Sequence, residues 1–259
     1  MLNRSGFLSG FRHFNIRRIA LKKDIKMLIF NRIHSFYIIK KTSRESRMII
    51  LYTFIEEEKH QHLMDRYLDV FSENIKKDIM AYRRWQDAQL SLLGKVMLLH
   101  GLRTYYNIID AELRKTPNNK PYLKDNPVHF NISHSKDLVA CVIAKFPVGI
   151  DIEFCDPSIN FQDFEFQMTP AECVQICKSE DKIKSFFTYW TAKEAVIKAH
   201  GDGIMIPLDS FQICNNTGIV DGEKFFVKDF FIDKNYCSCI ASNDINVNNV
   251  VPVIEFFRM

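Results

Sequence analysis

Two acidic side chains alternate with isoleucines in the segment Gly149–Glu153. In a strand, alternate side chains share a face, so Asp151 and Glu153 point the same way while Ile150 and Ile152 face the core. Two like charges on one face repel each other, and their burial is costly unless a cation compensates. The pair therefore indicates either a divalent-metal site or a solvent-exposed strand face, and at this point both interpretations stay open.

A second candidate site lies in the segment Trp190–Ala199, in which Glu194 and Lys198 are four residues apart. On a helix this spacing and order favour an ion pair. A surface ion pair is the simplest interpretation, but the neighbouring residues are mostly apolar and leave little room for an exposed face. The pattern predicts a half-buried Glu194 that needs a partner, and it predicts that Trp190 serves packing.

The third candidate is the segment Asn131–Ser135, which reads Asn-Ile-Ser-His-Ser at the end of a β-like run. Hydroxyl, imidazole and backbone N–H groups at such a position suit a phosphate oxygen. Ser133 beside His134 also resembles the nucleophile of a hydrolase, but the Gly-x-Ser-x-Gly elbow is absent. Phosphate binding is the favoured interpretation.

The elements that position these residues are short strands and long helices. Apolar and β-branched runs predict strands at 48–55, 128–132, 138–144 and 148–154, and three or four more between 208 and 256. Periodicity of three and four predicts helices at 58–71, 86–115, 170–178 and 181–200. Thr169 with Glu172 forms a capping-box pattern at the third helix, and Gly201 is the expected stop of the fourth.

Taken together, five ordered segments resemble the Sfp-type 4′-phosphopantetheinyl transferase family. The family pattern runs Gly-Lys-Pro, Phe-Asn-x-Ser-His-Ser, Gly-Ile-Asp-x-Glu, Trp-x-x-Lys-Glu-(Ala/Ser)-x-x-Lys and Gly-x-Gly-(Leu/Ile)-x-x-Pro-Leu. This chain matches those motifs in order and spacing at 119–121, 130–135, 149–153, 190–198 and 201–208. The resemblance covers about 72–214, and the glycine of the first motif is replaced by Asn119, which a turn tolerates.

The resemblance implies an α+β fold of two similar α/β halves, the pseudo-dimeric phosphopantetheinyl transferase fold, with the active site between them. We predict a first half at 48–146 and a second half at 147–259 that carries the metal site. Residues 1–47 are predicted to be a poorly structured basic extension outside the fold.

The resemblance also implies an enzyme, a holo-carrier-protein synthase. It would move the 4′-phosphopantetheine arm of coenzyme A to a serine of an apo acyl or peptidyl carrier protein and release adenosine 3′,5′-bisphosphate. Asp151, Glu153 and Glu194 would bind Mg²⁺, an ion that takes oxygen ligands and shares its shell with substrate phosphates. The alternative is a coenzyme A-binding pseudoenzyme that acts as an interaction module, but no acid and no motif lysine is lost.

Roles for the remaining motif residues follow from the same resemblance. Glu194, or a water it holds, would take the serine proton, and Lys198 would stabilise the leaving phosphate. Lys120, Ser133 and His134 would grip the pyrophosphate of coenzyme A. The family often has an arginine just before the Leu-Leu-Gly element to hold the 3′-phosphate, where this chain has Leu90 and Ser91. We predict that a nearby basic residue replaces it: Lys76, Lys77, Arg83 or Arg84.

Charge is distributed unevenly along the chain. Residues 1–47 contain twelve Lys and Arg against two acids, a net charge of +10, so that the total of +4 leaves −6 on the remainder. The basic segment is typical of an organellar transit peptide or of an arm that binds nucleic acid or anionic membranes. A third interpretation is that the start codon is assigned too early and that the protein begins at Met48. A strand-like run directly after Met48 favours the last interpretation.

The seven cysteines are odd in number and scattered, which favours a reducing compartment over a disulfide framework. Neither close pair has the spacing of a zinc knuckle, so we interpret the cysteines as small core residues. No apolar run approaches the roughly 20 residues that cross a bilayer. We therefore expect a cytoplasmic monomer whose partners are coenzyme A and a carrier protein, without nucleic acid or membrane.

Overall fold

The computed structural model describes residues 48–125 and 128–259. The predicted extension at 1–47 lies outside the described residues. The mixed α+β class predicted from the sequence is confirmed, because the described chain contains both packed helices and two four-stranded sheets.

The helices and strands are named here in chain order. The strands are β1 (Ile49–Phe54), β2 (Leu113–Lys115), β3 (Pro121–Leu123), β4 (His129–Ser135), β5 (Leu138–Ala144), β6 (Gly149–Phe154), β7 (Thr217–Val220), β8 (Glu223–Asp229), β9 (Tyr236–Ser242) and β10 (Val253–Phe256). The helices are α1 (His60–Tyr67), α2 (Glu73–Met80), α3 (Trp85–Tyr106), α4 (Pro170–Lys178), α5 (Lys182–His200) and α6 (Asn246–Asn249).

The first sheet has the strand order β10-β1-β5-β4, and the second has the order β6-β9-β8-β7. Neighbours are antiparallel except β1 and β10, which run parallel. The C-terminal strand β10 thus joins the first sheet, although its residues fall within the predicted second half, 147–259. A core of apolar side chains from both sheets lies between them, with Ile50, Val142, Ile152 and Ile240 fully buried.

Helix α3 packs against the first sheet and is shorter than the sequence predicts. The periodic pattern predicts a helix to about residue 115, but α3 ends at Tyr106. Asn107 adopts a left-handed backbone with φ 59°, and its N–H donates to the carbonyl of Leu102. Asparagine tolerates this conformation and commonly ends helices. Residues 113–115 instead form a hairpin with 121–123.

Helices α4 and α5 agree with their predicted boundaries. The capping box at α4 is present, since Thr169 accepts from the Glu172 N–H and the Glu172 carboxylate accepts from the Thr169 N–H at 2.9 Å. Helix α5 ends at Gly201, whose φ of 110° is unfavourable for other residues. None of the helices within the described ranges combines the length and apolar character needed to cross a membrane.

The contact between α5 and β6 requires a glycine. A Cβ atom at Gly149 would overlap the backbone of Ala195 and Ala199 on α5. Because only glycine permits this approach, the start of β6 lies directly against the helix that carries Glu194 and Lys198. Gly149 of the 149–153 motif therefore sets the distance between β6 and the 190–198 motif on α5.

Candidate active site

The edge strands β4 and β6 of the two sheets are joined by side chains. Three side chains of β4 accept hydrogen bonds from backbone N–H groups of β6: Asn131 from Ile150 at 3.0 Å, Ser133 from Ile152 at 3.4 Å, and Ser135 from Phe154 at 3.1 Å. Every second residue of β4 contacts every second residue of β6, as the alternation of strand side chains requires. The motifs at 130–135 and 149–153 are thereby aligned side by side.

Asp151 lies at the centre of this junction and is only 2% exposed. Its Oδ1 accepts from Ser133 Oγ at 2.8 Å and from Lys198 Nζ at 2.6 Å, and Lys198 also donates to Ser133 Oγ at 3.0 Å. Its Oδ2 is buried and has no hydrogen-bond partner among the described residues. Burial raises the pKa of Asp151, and the ammonium of Lys198 opposes this shift. The solvent-exposed alternative for Asp151 is therefore wrong.

Glu153 and Glu194 lie in the same electrostatic environment and are both half-buried. Burial, with the negative charge of Asp151, raises the pKa of Glu153 to about 7, while a hydrogen bond from Ser135 Oγ at 2.7 Å opposes the shift. Burial raises the pKa of Glu194; Lys198 opposes that shift and Asp151 adds to it. The acids thus penalise one another's ionisation, and an added cation would relieve this.

Lys198 contacts a different partner from the one the sequence predicts. The i,i+4 spacing predicts a pair with Glu194, but the ammonium lies on Asp151, across the junction on β6. Asp151 is the more deeply buried of the two carboxylates, so its charge gains more from the lysine. Glu194 is half-buried as predicted, and no ion pair to it occurs within the described residues. Trp190 packs against Phe164 and Phe186, which confirms its packing role.

The donor set of the three acids fits a hard divalent cation, because it supplies oxygen ligands and includes the unpartnered Oδ2 of Asp151. Their ligand atoms have not converged: the one group in 48–125 and 128–259 whose three ligand atoms lie within 4.8 Å of each other is His200, Asp202 and Asp221. Lys198 supplies a positive charge at Asp151.

The convergent group at the end of α5 is a weak candidate for a metal. Its two aspartates are 51% and 74% exposed, and they lie 3.5 Å from opposite ring nitrogens of His200. Exposed acidic groups of this kind commonly lie together without a bound ion. We therefore interpret this group as surface polar contacts around a half-buried histidine.

Two predicted phosphate-binding residues lie in different surroundings. His134 is exposed; desolvation and the nearby charges of Lys198 and Lys95 lower its pKa, while Asp87 raises it. Lys120 donates to the carbonyl of Ala199 at 2.9 Å and so covers the C-terminal end of α5. No hydrogen bond within the described ranges joins Lys120 to the Asp151 junction.

Lys95 was missed by the sequence reasoning. It is half-buried on α3, its ammonium donates to Ser91 Oγ at 2.7 Å, and burial lowers its pKa. The available signal was a single lysine between Gly94 and Val96 in an otherwise apolar stretch of helix. Its charge acts on His134 together with that of Lys198, which places a second ammonium group near the junction.

The four predicted substitutes for the missing arginine also differ. Leu90 is buried in the core. Lys76 is bound to Asp69 and Glu73, and Arg84 lies 3.9 Å from Asp87. Lys77 and Arg83 are exposed and take part in no ion pair within the described residues.

The cysteines are not all core residues, contrary to the prediction. Three of them are buried: Cys141, Cys237 and Cys239. The others are half-buried or exposed: Cys155, Cys173, Cys177 and Cys214. All seven are free thiols.

Two protein-family models match most of the described chain. The model for the 4′-phosphopantetheinyl transferase superfamily matches residues 147–245, and the model for the N-terminal part of 4′-phosphopantetheinyl transferase matches 58–146. These matches cover the two strands and the helix that form the Asp151 junction: β4, β6 and α5.

Curated relatives give the same result. The chain is 34% identical to 4′-phosphopantetheinyl transferase gsp of Aneurinibacillus migulanus over 170 residues, which is 64% of this chain and 71% of the relative. It is 29% identical to 4′-phosphopantetheinyl transferase Sfp of Bacillus subtilis over 62% of this chain and 73% of the relative. L-aminoadipate-semialdehyde dehydrogenase-phosphopantetheinyl transferase of Schizosaccharomyces pombe is 29% identical over 53% of this chain and 62% of the relative.

Proposed function

Because the chain belongs to the 4′-phosphopantetheinyl transferase family, we propose that the Asp151 junction is where the phosphopantetheine arm of coenzyme A passes to a serine of a carrier protein. The family and the enzyme class predicted from the sequence are confirmed by the relatives, and the pseudoenzyme alternative finds no support among them. The observation that carries the placement is a buried carboxylate with one oxygen satisfied and the other without a partner.

We propose that Asp151, Glu153 and Glu194 hold Mg²⁺. The support is the all-oxygen donor set, the free Oδ2 of Asp151 and the raised pKa values of the three acids. When bound, the ion neutralises charge on the pyrophosphate of coenzyme A. Lys198, whose ammonium lies 2.6 Å from Asp151 Oδ1 and is partly exposed, would stabilise the leaving phosphate beside that ion.

Proton transfer is assigned to Glu194. A general base works best when its pKa approaches the working pH, and burial raises the pKa of this carboxyl in that direction. Its position on α5, one turn from Lys198, puts the base and the phosphate-binding cation on the same side of the helix. Glu194 accepts the proton of the carrier serine directly or through a water.

The pyrophosphate is assigned to the hydrogen-bond donors beside the junction. The charges of Lys198 and Lys95 both act on His134 and lower its pKa, and Ser133 Oγ contacts both Lys198 and Asp151. Lys120 is assigned a supporting contact from the end of α5. For the 3′-phosphate we favour Lys77 and Arg83 among the basic residues, because these two are exposed and uncommitted to acids.

The remaining assignments are part of the same proposal. The two-half division at residues 146 and 147 is supported by the change between the two family matches there. We propose a monomer in the cytoplasm, a compartment consistent with seven free thiols. Its partners are coenzyme A and a fatty-acid, polyketide or peptide-synthetase carrier, without nucleic acid or membrane.

A direct assay tests this function. The full chain is incubated with coenzyme A, Mg²⁺ and a panel of apo-carriers, and each carrier is weighed by mass spectrometry. We expect a gain of about 340 Da, the mass of the added arm, on at least one carrier. A carrier with its serine changed to alanine and a sample with a chelator in place of Mg²⁺ are the controls. If no carrier gains mass while a characterised transferase modifies the same panel, the proposal is overturned.

A further inference from the structure

Two free thiols lie in contact at the end of β6. The sulfur atoms of Cys155, directly after β6, and Cys237, in β9, are 3.2 Å apart. A disulfide requires about 2.05 Å, so the two atoms need to approach by little more than 1 Å. We propose that Cys155 and Cys237 form a reversible disulfide, a redox modification site at the end of β6.

The backbone on both sides holds the two sulfurs together. The N–H of Cys155 donates to the carbonyl of Asn235 at 2.8 Å, and Cys237 is the direct strand partner of Glu153. On the other side, Cys237 Sγ donates to the Lys184 carbonyl at 3.8 Å and lies 3.7 Å from Thr188 Oγ1. The contact is therefore set by the pairing of β6 with β9 and by α5, with Cys155 as the first residue after β6.

The two thiols differ in access, which gives the reaction an order. Cys155 is half-buried, whereas Cys237 is 7% exposed. A small oxidant therefore reaches Cys155 first, and Cys237 resolves the product. The other buried thiols, Cys141 and Cys239, are fully enclosed and have no sulfur partner within the described residues.

Oxidised glutathione balances the reaction. The Cys155 sulfur, on losing its proton, attacks one sulfur of the glutathione disulfide; this forms a mixed disulfide and releases one glutathione thiol. Cys237 then loses its proton and attacks the Cys155 sulfur, which displaces the second glutathione. Two protein thiols are oxidised and one external disulfide is reduced. Excess dithiothreitol reverses both steps.

The cross-link should stabilise the fold. The bond joins residues 82 positions apart in the chain, and a closed loop of that length removes much conformational freedom from the unfolded chain. The two sulfurs lie 3.2 Å apart in the folded chain, so the lost freedom of the unfolded chain is the main source of the expected gain. We expect the Tm of the oxidised protein to exceed that of the reduced protein by at least about 5 °C.

The test uses the full chain and three variants: Cys155→Ser, Cys237→Ser and, as the matched control, the exposed Cys177→Ser. Each is treated with oxidised glutathione, digested and mapped by mass spectrometry without reduction. We expect a linked peptide pair of Cys155 and Cys237 in the wild type and in Cys177→Ser. In Cys237→Ser we expect a trapped glutathione adduct of about 305 Da on Cys155.

Two results would overturn the proposal. One is a wild type that keeps the glutathione adduct on Cys155 at the level found in Cys237→Ser, because Cys237 would then not resolve it. The other is a wild type in which no linked pair of Cys155 and Cys237 forms, or in which excess dithiothreitol does not reverse the linked pair. Transfer activity does not enter either readout, so the result is independent of the proposed function.

Discussion

Helix α5 carries two buried ion pairs, and the comparison between them separates a structural pair from a functional one. Lys193 binds Glu172 at 2.7 Å, and both side chains are 0% exposed. Five residues later, Lys198 binds Asp151 at 2.6 Å, with the lysine partly exposed. The distances are nearly equal, so the difference lies in what surrounds each pair.

The Lys193 pair is saturated. The ammonium also donates to the carbonyls of Leu208 and Phe211, each at 2.7 Å. Both oxygens of Glu172 are used, one by the Ile213 N–H at 2.8 Å and the other by Thr169. This pair holds the segment after α5 against α4 and has no capacity for a ligand.

The Asp151 pair is open. One oxygen of Asp151 has no partner among the described residues, its charge raises the pKa of both Glu153 and Glu194, and its lysine reaches solvent. A protein bears the cost of an incompletely satisfied buried charge mainly where a ligand completes it. The comparison teaches that the distance within the pair does not distinguish them, whereas the number of satisfied oxygens and the access of solvent to the lysine do.

The largest expected effect is on stability, at the saturated pair. Lys193→Met removes one partner of a buried pair and leaves Glu172 charged and enclosed, which should reduce the free energy of unfolding by about 3–5 kcal/mol. We expect the Tm in thermal unfolding to fall by about 10 °C or more. The double variant Lys193→Met/Glu172→Gln should recover part of the loss. A fall of less than 2 °C in the single variant would contradict the structural role, given the roughly 2–4 °C expected per kcal/mol.

The next effect is on catalysis, at the open pair. Asp151→Ala and Glu194→Ala should each reduce transfer at least ~10²-fold, because about 1.36 kcal/mol of transition-state stabilisation corresponds to tenfold in rate. Removing an acid from a repelling group should leave the Tm close to that of the wild type. The exposed Glu180→Ala is the control. Near-normal turnover of either variant at saturating Mg²⁺ would sink the three-acid site.

A smaller effect is expected at Glu153, the third of the acids proposed to bind Mg²⁺. Glu153→Ala should reduce kcat/KM by about tenfold, because a water can occupy the coordination position that the carboxylate vacates. Measuring kcat/KM for Glu153→Ala and Asp151→Ala in the same assay shows which acid contributes more. A loss at Glu153 that equals the loss at Asp151 would make the two acids equivalent ligands.

The smallest effect is a pH dependence of the metal-free protein. The pKa of Glu153 is raised to about 7 in the folded state, so between pH ~4.5 and ~7 the folded state binds more protons than the unfolded state. Stability should therefore fall as the pH rises through this window and level off above it. Glu153→Gln should lose this part of the dependence, as measured by urea unfolding with a chelator. An unchanged pH profile would show that Glu153 is not the group that titrates.

The sequence predicted the strands, α4 and α5 well because each depends on local pattern, whereas the roles of the motif residues stay predictions. The alternation of Asp151 and Glu153 and the Thr169 capping box are properties of neighbouring residues. The end of α3 was placed too late, because the left-handed backbone of Asn107 has no apolar signature. Contacts between residues far apart in the sequence could not be predicted from local patterns either.

Lys198 shows why. Its spacing from Glu194 suggests a helical pair, but the β4–β6 junction brings Asp151 within 2.6 Å, and only the tertiary structure reveals this competitor. Lys95 was overlooked for a related reason, since its proximity to His134 depends on how α3 packs on β4. The pairing of β10 with β1 joins residues about 200 positions apart, which no local period encodes.

The most direct test of the central claim, that the open pair is a cation site and the saturated pair is not, is a binding measurement. Mn²⁺, read by electron paramagnetic resonance as a substitute for Mg²⁺, is titrated into the wild type, Asp151→Asn and Glu172→Gln, each with coenzyme A present. We predict that Asp151→Asn weakens Mn²⁺ binding at least ~10-fold and that Glu172→Gln, at a temperature where it is folded, keeps the wild-type affinity. Equal Mn²⁺ affinity in the wild type and Asp151→Asn would contradict the account.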